Sequence, residues 1–217
     1  MGAKILGKLR KRHIILILSG LLFFCAGPGT SAAEEKPMPT QEELTDLGIE
    51  AYEKSEPTRC LEYLQQAIDL YPEDYAARLN YGSFAYQIAL DIKRQGVGGE
   101  QGEMLLKHLA SAAMDALSRA IELAKKSSKE DGEAAYSVIG QAAFLTGDMW
   151  HYLFDKPQLA WDHFMFSKKY WPDNPNLMRE MRIVRQKIPN DYVAQPMNLY
   201  DVNTITGEMA IIEENIR

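Results

Sequence analysis

"LGIEAY", Leu47 to Tyr52, is repeated in outline by "YGSFAY" at Tyr81 to Tyr86 and by "IGQAAF" at Ile139 to Phe144. Each copy sets a glycine, two variable residues, an alanine and an aromatic ring in the same order, and the first two copies stand 34 residues apart. A period of that length is the size of one supersecondary unit, so the chain predicts an all-α architecture built from recurring helix pairs. Around the first copy, Leu44, Leu47, Gly48, Ala51 and Tyr52 recur at helical offsets on one face. Thr40 and Glu43 have capping-box spacing and predict where that helix begins. Pro57 suits the first turn of a second helix, whose apolar stripe runs through Cys60, Leu61, Leu64, Ala67, Ile68 and Tyr71 and is closed by "YPED".

Leu47, Gly48, Cys60, Leu64, Ala67 and Pro72 fall where a tetratricopeptide (TPR) unit keeps its Leu, Gly, small residue, bulky residue, Ala and Pro, so the chain resembles that family over residues 40–188. The resemblance implies antiparallel helices brought close by Gly and Ala, with large residues filling the gap and Pro ending each pair. A second unit opens at Asp74 and runs through Ala77, Tyr81, Gly82, Ala85, Ile88, Ala89 and Ile92. Its partner helix carries Ala113, Leu117, Ala120 and Ile121, because "AIEL" at Ala120 repeats "AIDL" at Ala67. The longer spacing there implies an insertion that includes "QGVGGEQGE", Gln95 to Glu103. In a third unit Ile139, Gly140, Ala143 and Phe144 are expected to pair with Ala160, Phe164, Ser167 and Pro172, across a long inter-helix segment "LTGDMWHYLFDKPQ". Pro175 then starts a more polar helix, of the kind that caps such a stack against solvent. The expected fold is therefore a TPR-like α-solenoid of about three helix pairs plus a C-terminal capping helix. Residues 189–217 form an irregular tail, read as a short hairpin, a strand that pairs elsewhere, or a segment lying on the helices.

The net charge of −6 conceals an asymmetry, since Lys4, Lys8, Arg10, Lys11 and Arg12 all precede the first acid, Glu34. The remaining 19 basic and 30 acidic side chains leave −11, which argues against nucleic-acid binding by phosphate neutralisation. After the basic opening comes "IILILSGLLFFCAG", Ile14 to Gly27, too short to span a bilayer as a helix. Small residues at Ser31 and Ala33 then suit cleavage before Glu34, so residues 1–33 read as a secretory signal and 34–39 as a linker. The expected compartment is the bacterial periplasm; an uncleaved anchor and a buried helix are the alternatives. Cys25 offers lipidation as a further alternative, although Phe24 occupies the place where a lipoprotein signal keeps a small residue. Membrane association is expected only through this N-terminus. Cys60 remains as a small buried hydrophobe with no partner for an intrachain disulfide.

No His pair at zinc-helix spacing, no CxxC and no Gly-x-Ser-x-Gly elbow occurs in the sequence, and His151 and His163 stand twelve apart, so no metal, no cofactor and no catalytic set is expected. Gly96, Gly98, Gly99 and Gly102 lack the spacing of a dinucleotide fingerprint and read as an inter-helix loop. The rings Tyr52, Tyr86 and Phe144 follow alanines at positions where the family places its large packing residue. Either they have moved one place to do that packing, or they form an aromatic ladder beside Glu53, Gln87 and Gln141 that grips a peptide or helix. Lys168, Lys169, Arg179, Arg182, Arg185 and Lys187 form the basic concentration of the body, read as a solvated face or as a site for an acidic partner or anionic surface. Trp150, Tyr152, Phe154, Trp161, Phe164, Phe166, Tyr170 and Trp171 read mostly as core, with a contact surface as the second use. Recognition of a protein or peptide in the envelope, by an adaptor or assembly factor, is the function expected. The alternative is an accessory ligand-binding subunit of a transport or redox system, and the oligomeric state stays open.

Overall fold

The computed structural model describes residues 38–96 and 99–195, and among them is all-α. Seven helices follow in order: α1 (Gln41–Glu53), α2 (Pro57–Leu70), α3 (Tyr75–Gln95), α4 (Glu100–Asp131), α5 (Glu133–Tyr152), α6 (Pro157–Lys168) and α7 (Pro175–Arg185). The basic and apolar opening, Cys25 and most of the linker lie outside the described residues, as do Val97, Gly98 and everything from Pro196 onward.

Local chemistry accounts for the helix starts. The Thr40 N–H donates to Glu43 Oε2 at 2.8 Å and the Glu43 N–H donates to Thr40 Oγ1 at 3.1 Å, a reciprocal cap that satisfies donors the first turn leaves unpaired. Asp74 Oδ1 accepts from the Ala76 and Ala77 N–H groups, and Asn174 Oδ1 accepts from Asn176 and Leu177, so α3 and α7 begin alike. Proline fills the first turn of α2, α6 and α7, where its missing N–H costs nothing. The exits of α1 and α5 also correspond. Ser55 (φ 63°) and Asp155 (φ 50°) take left-handed backbone two residues before Pro57 and Pro157, and the next N–H in each turn folds back onto Ala51 O at 2.9 Å and Trp150 O at 2.8 Å.

Each helix packs on the next in sequence. The odd-numbered helices also meet one another, α1 with α3, α3 with α5 and α5 with α7. The contact that sets the spacing of the pairs lies at a glycine. A β-carbon built on Gly48 would stand 3.0 Å from Leu64 Cγ and 3.4 Å from the Cys60 carbonyl. On Gly82 it would stand 2.7 Å from Leu117 Cγ and 3.1 Å from the Ala113 carbonyl. Leu64 and Leu117 are fully buried, so each bulky side chain rests directly on the backbone of the preceding helix.

In the third pair the structure corrects the expected register. The corresponding glycine is Gly147, whose added β-carbon would come within 2.5 Å of Phe164 Cε1 and 3.2 Å of the Ala160 carbonyl. Gly140 sits two turns earlier, against Trp171 (3.0 Å to Cγ) and Ser167, whose hydroxyl donates to the Gly140 carbonyl at 2.7 Å. "LTGDMWHY" is therefore helix, and the turn to α6 is only Leu153 to Lys156. In the second pair Gly96 and Gly99 do stand in the connection between α3 and α4, as expected, but the helices on either side are long. α3 runs 21 residues and α4 32, and Gly102, expected in a loop, is buried inside α4. Extra turns continue a surface already built, so they lengthen the pair without disturbing its contact at Gly82.

Past α7 the chain stays on the domain as far as Gln195. Ile188 is buried, the Tyr192 hydroxyl donates to Asp162 Oδ2 at 2.8 Å, and the Gln195 N–H donates to Asp162 Oδ1 at 3.0 Å.

Gly147→Ala should lower the unfolding free energy by about 1–3 kcal/mol, because overpacking against the enclosed Phe164 ring outweighs the gain in helix propensity, roughly 1 kcal/mol. Gly140→Ala should cost less, since its neighbour Trp171 is half-exposed and lies outside a helix. Urea denaturation followed by circular dichroism compares the two; equal losses would place the decisive approach elsewhere.

Candidate functional site

The six residues nominated from sequence do not make one row. Tyr52 is half-buried at the junction of α1 and α3, with its ring edge-on to Phe84 at 5.2 Å and its hydroxyl donating to Asp91 Oδ2 at 2.7 Å. Burial, and then the neighbouring Asp91, hold that phenol well above its ordinary pKa. Gln87 Nε2 donates to the other Asp91 oxygen at 3.3 Å, so Tyr52 and Gln87 share one acceptor, while Glu53 is exposed beside them. Tyr86 is 5% exposed and belongs to the main core, as the packing alternative had it. Gln141 is half-buried on α5. Phe144 packs 5.8 Å from Phe164 and 6.5 Å from Trp171, on the side of α5 that meets α6, and so does not extend a ladder from Tyr52. With Gly147 matched to Gly82, the residues of α5 that stand where Ala85 and Tyr86 stand in α3 are Trp150 and His151.

A polar cluster that the sequence does not single out lies where α5 meets α7, with Tyr86 of α3 beside it. Glu180 is 3% exposed, and its Oε2 accepts from the Tyr152 hydroxyl at 2.6 Å while its Oε1 accepts from Arg179 Nε and Nη2 at 3.0 and 2.9 Å. One turn before Tyr152 stands Asp148, whose Oδ1 is sealed from solvent without a hydrogen-bond partner. Burial first, and the Glu180 charge second, push the Asp148 carboxyl up to about 8, with Arg179 acting weakly the other way. At neutral pH it therefore holds its proton. The Tyr86 phenol is raised by burial and then by Asp148, and the Tyr152 phenol by burial and then by Glu180. His151, 5% exposed, completes the cluster; burial and then Lys187 lower its pKa, and its Nδ1 has no partner.

These residues escape the sequence because spacing puts Asp148 in an inter-helix segment and the surrounding bases put Glu180 on a solvated helix. The available signal is an acid set between Gly147 and the apolar pair Met149–Trp150, which helical spacing buries.

The basic concentration is partly used up by the fold. Arg179 serves Glu180, Arg185 donates to Asn190 O at 2.6 Å and lies 5.4 Å over the Trp161 ring, and Lys187 reaches Asp155 at 4.0 Å. His163 is enclosed in α6 and pushed down to about 3 by burial alone, which makes it a neutral core residue. Cys60 is fully buried, and burial raises its thiol to about 11. Among the described residues no three His, Cys, Asp or Glu side chains are grouped to hold a metal ion, and no helix is long and apolar enough to cross a membrane. No family model and no curated protein matches the chain.

Asp148 gives stability a defined pH dependence. The folded chain keeps a proton that the unfolded chain releases above 3.8, so the stability present below that value is lost as pH rises through about 8. The slope from this one group approaches about 1.4 kcal/mol per pH unit. Asp148→Asn removes the titration, and thermal denaturation at pH 5 and pH 8 should show the variant gaining on the parent at the higher pH. A parallel pH dependence in both proteins would sink the assignment.

Proposed function

We propose that this chain is a non-catalytic protein-binding module, a TPR-like stack of helix pairs ended by α7, that serves as an exported periplasmic adaptor or assembly factor for an envelope complex. The observation that supports it most is the asymmetry of the packing. α1, α3, α5 and α7 meet in succession, whereas α2, α4 and α6 meet only odd-numbered helices. A stack joined along one side and separated along the other curves toward the joined side, which becomes an extended inner face. Tyr52, Gln87 and Asp91 on α1 and α3, with Tyr152, 38% exposed, on α5, supply aromatic and hydrogen-bonding groups to that face. Such a mixture suits a peptide or helix laid along a groove. The balance of −11 beyond residue 33 disfavours nucleic acid as the guest, and the opening of the sequence favours export.

Photoreactive residues at Glu53 and Gln87 should crosslink a partner protein in cells of the source, while the same group at the exposed Glu62 of α2, on the opposite side, should capture none. Equal capture from both sides, or capture from α2 alone, would remove the inner face from consideration.

A further inference from the structure

We propose that Asp148 anchors one lysine ammonium of the guest, an inference that rests on the inner face being the binding surface. Asp148 and Tyr152 stand one turn apart on the same side of α5, and the Tyr152 hydroxyl donates to Glu180 Oε2 at 2.6 Å. The Asp148 carboxyl therefore lies beside the inner-face residue Tyr152, at the edge where α5 meets α7. Its Oδ1 is sealed and unpartnered, yet the residue is only half-buried, which leaves part of the carboxyl open. Tyr86 of α3 is an independent sign of a missing occupant. It is 5% exposed, its hydroxyl makes no hydrogen bond among the described residues, and burial first and the Asp148 charge next raise its phenol.

The charges around this carboxyl are one cation short. α7 brings Glu180 together with Arg179, whose guanidinium Glu180 already holds at 2.9 Å. From α3 come Lys93, which donates to the Leu153 carbonyl at 2.7 Å, and Arg94, which lies 4.0 Å from Asp91. Past the end of α7, Lys187 reaches Asp155 at 4.0 Å, and His151 is held toward its neutral form by burial and then by Lys187. Two carboxyl groups thus share one arginine, while every other base of the neighbourhood is engaged elsewhere. In the free chain a proton on Asp148 takes the place of the missing cation, and a seated ammonium releases that proton to solvent. An ammonium suits the position better than a guanidinium. The bidentate pairing that favours arginine needs both carboxylate oxygens within reach, and Oδ1 is sealed. The Tyr86 hydroxyl oxygen offers the ammonium a second acceptor.

The test follows the Asp148 carboxyl carbon by NMR in the full chain, at constant ionic strength, with a blocked pentapeptide carrying one central lysine among alanines as probe. At about ten times its dissociation constant the peptide should lower the Asp148 titration midpoint by about one pH unit, and its affinity should rise about fiftyfold from pH 6 to pH 8. Asp148→Asn should abolish binding, Glu62→Gln on α2 should leave it unchanged, and the peptide with norleucine in place of lysine should not bind. An unmoved midpoint at the highest soluble peptide concentration, or equal binding by Asp148→Asn, would overturn the proposal. So would n-butylammonium binding as tightly as the peptide, which would assign the carboxyl to a free amine. The titration needs no partner protein, so its failure is distinct from a failure of the inner face to crosslink one.

Discussion

Everything in this domain rests on three places where a bulky side chain sits directly on a helix backbone: Leu64 on Gly48, Leu117 on Gly82 and Phe164 on Gly147. A β-carbon at any of them would stand at or inside van der Waals contact, so the separation within each pair is set by the absence of that atom. The small residue one turn before the bulky one, Cys60, Ala113 or Ala160, brings its carbonyl toward the same glycine. Helices can be lengthened at either end without altering this contact, and α3, α4 and α5 are. Helix length varies while the contact at the glycine is kept.

Close packing creates a second constraint where α5 meets α7. α5 presents Asp148 and Tyr152 toward α7, and α7 presents Glu180 back, so two carboxyl groups share a seam that solvent scarcely reaches. Glu180 is supported by Tyr152 and Arg179, whereas Asp148 is left to hold its own proton. An apolar pair would pack there at lower cost. The seam therefore joins α5 to α7 beside a buried carboxyl, Asp148, whose protonation responds to pH.

Much of the local structure was legible in the residues. Thr40 with Glu43, Asp74, Pro57 and Pro175 mark where helices begin, because each satisfies or removes a backbone donor within its own first turn, whereas the start at Pro157 was hidden in the supposed inter-helix segment. The first two glycine contacts were legible as well, since their echoes share the same neighbours. The third was misplaced by seven residues, because "IGQAAF" imitates the pattern better than "TGDMWH", whose large Trp150 and polar His151 hide the match. The candidate site was less legible. Phe144 was aligned through the wrong glycine, and Asp148 and Glu180 lie far apart in sequence on segments that resemble turn and surface.

By itself the sequence determined the all-α class, most helix starts, the burial of Cys60 and the acidity of the body, all properties of single residues or of one helical period. Only the tertiary structure decided which glycine of α5 receives Phe164, that "LTGDMWHY" is helix, that Phe144 faces α6, and that the Glu180 charge bears on Asp148. Those outcomes depend on which surface each helix turns toward a neighbour, and that is settled by competition among packings, since a helix with apolar residues on several sides offers more than one face of nearly equal merit.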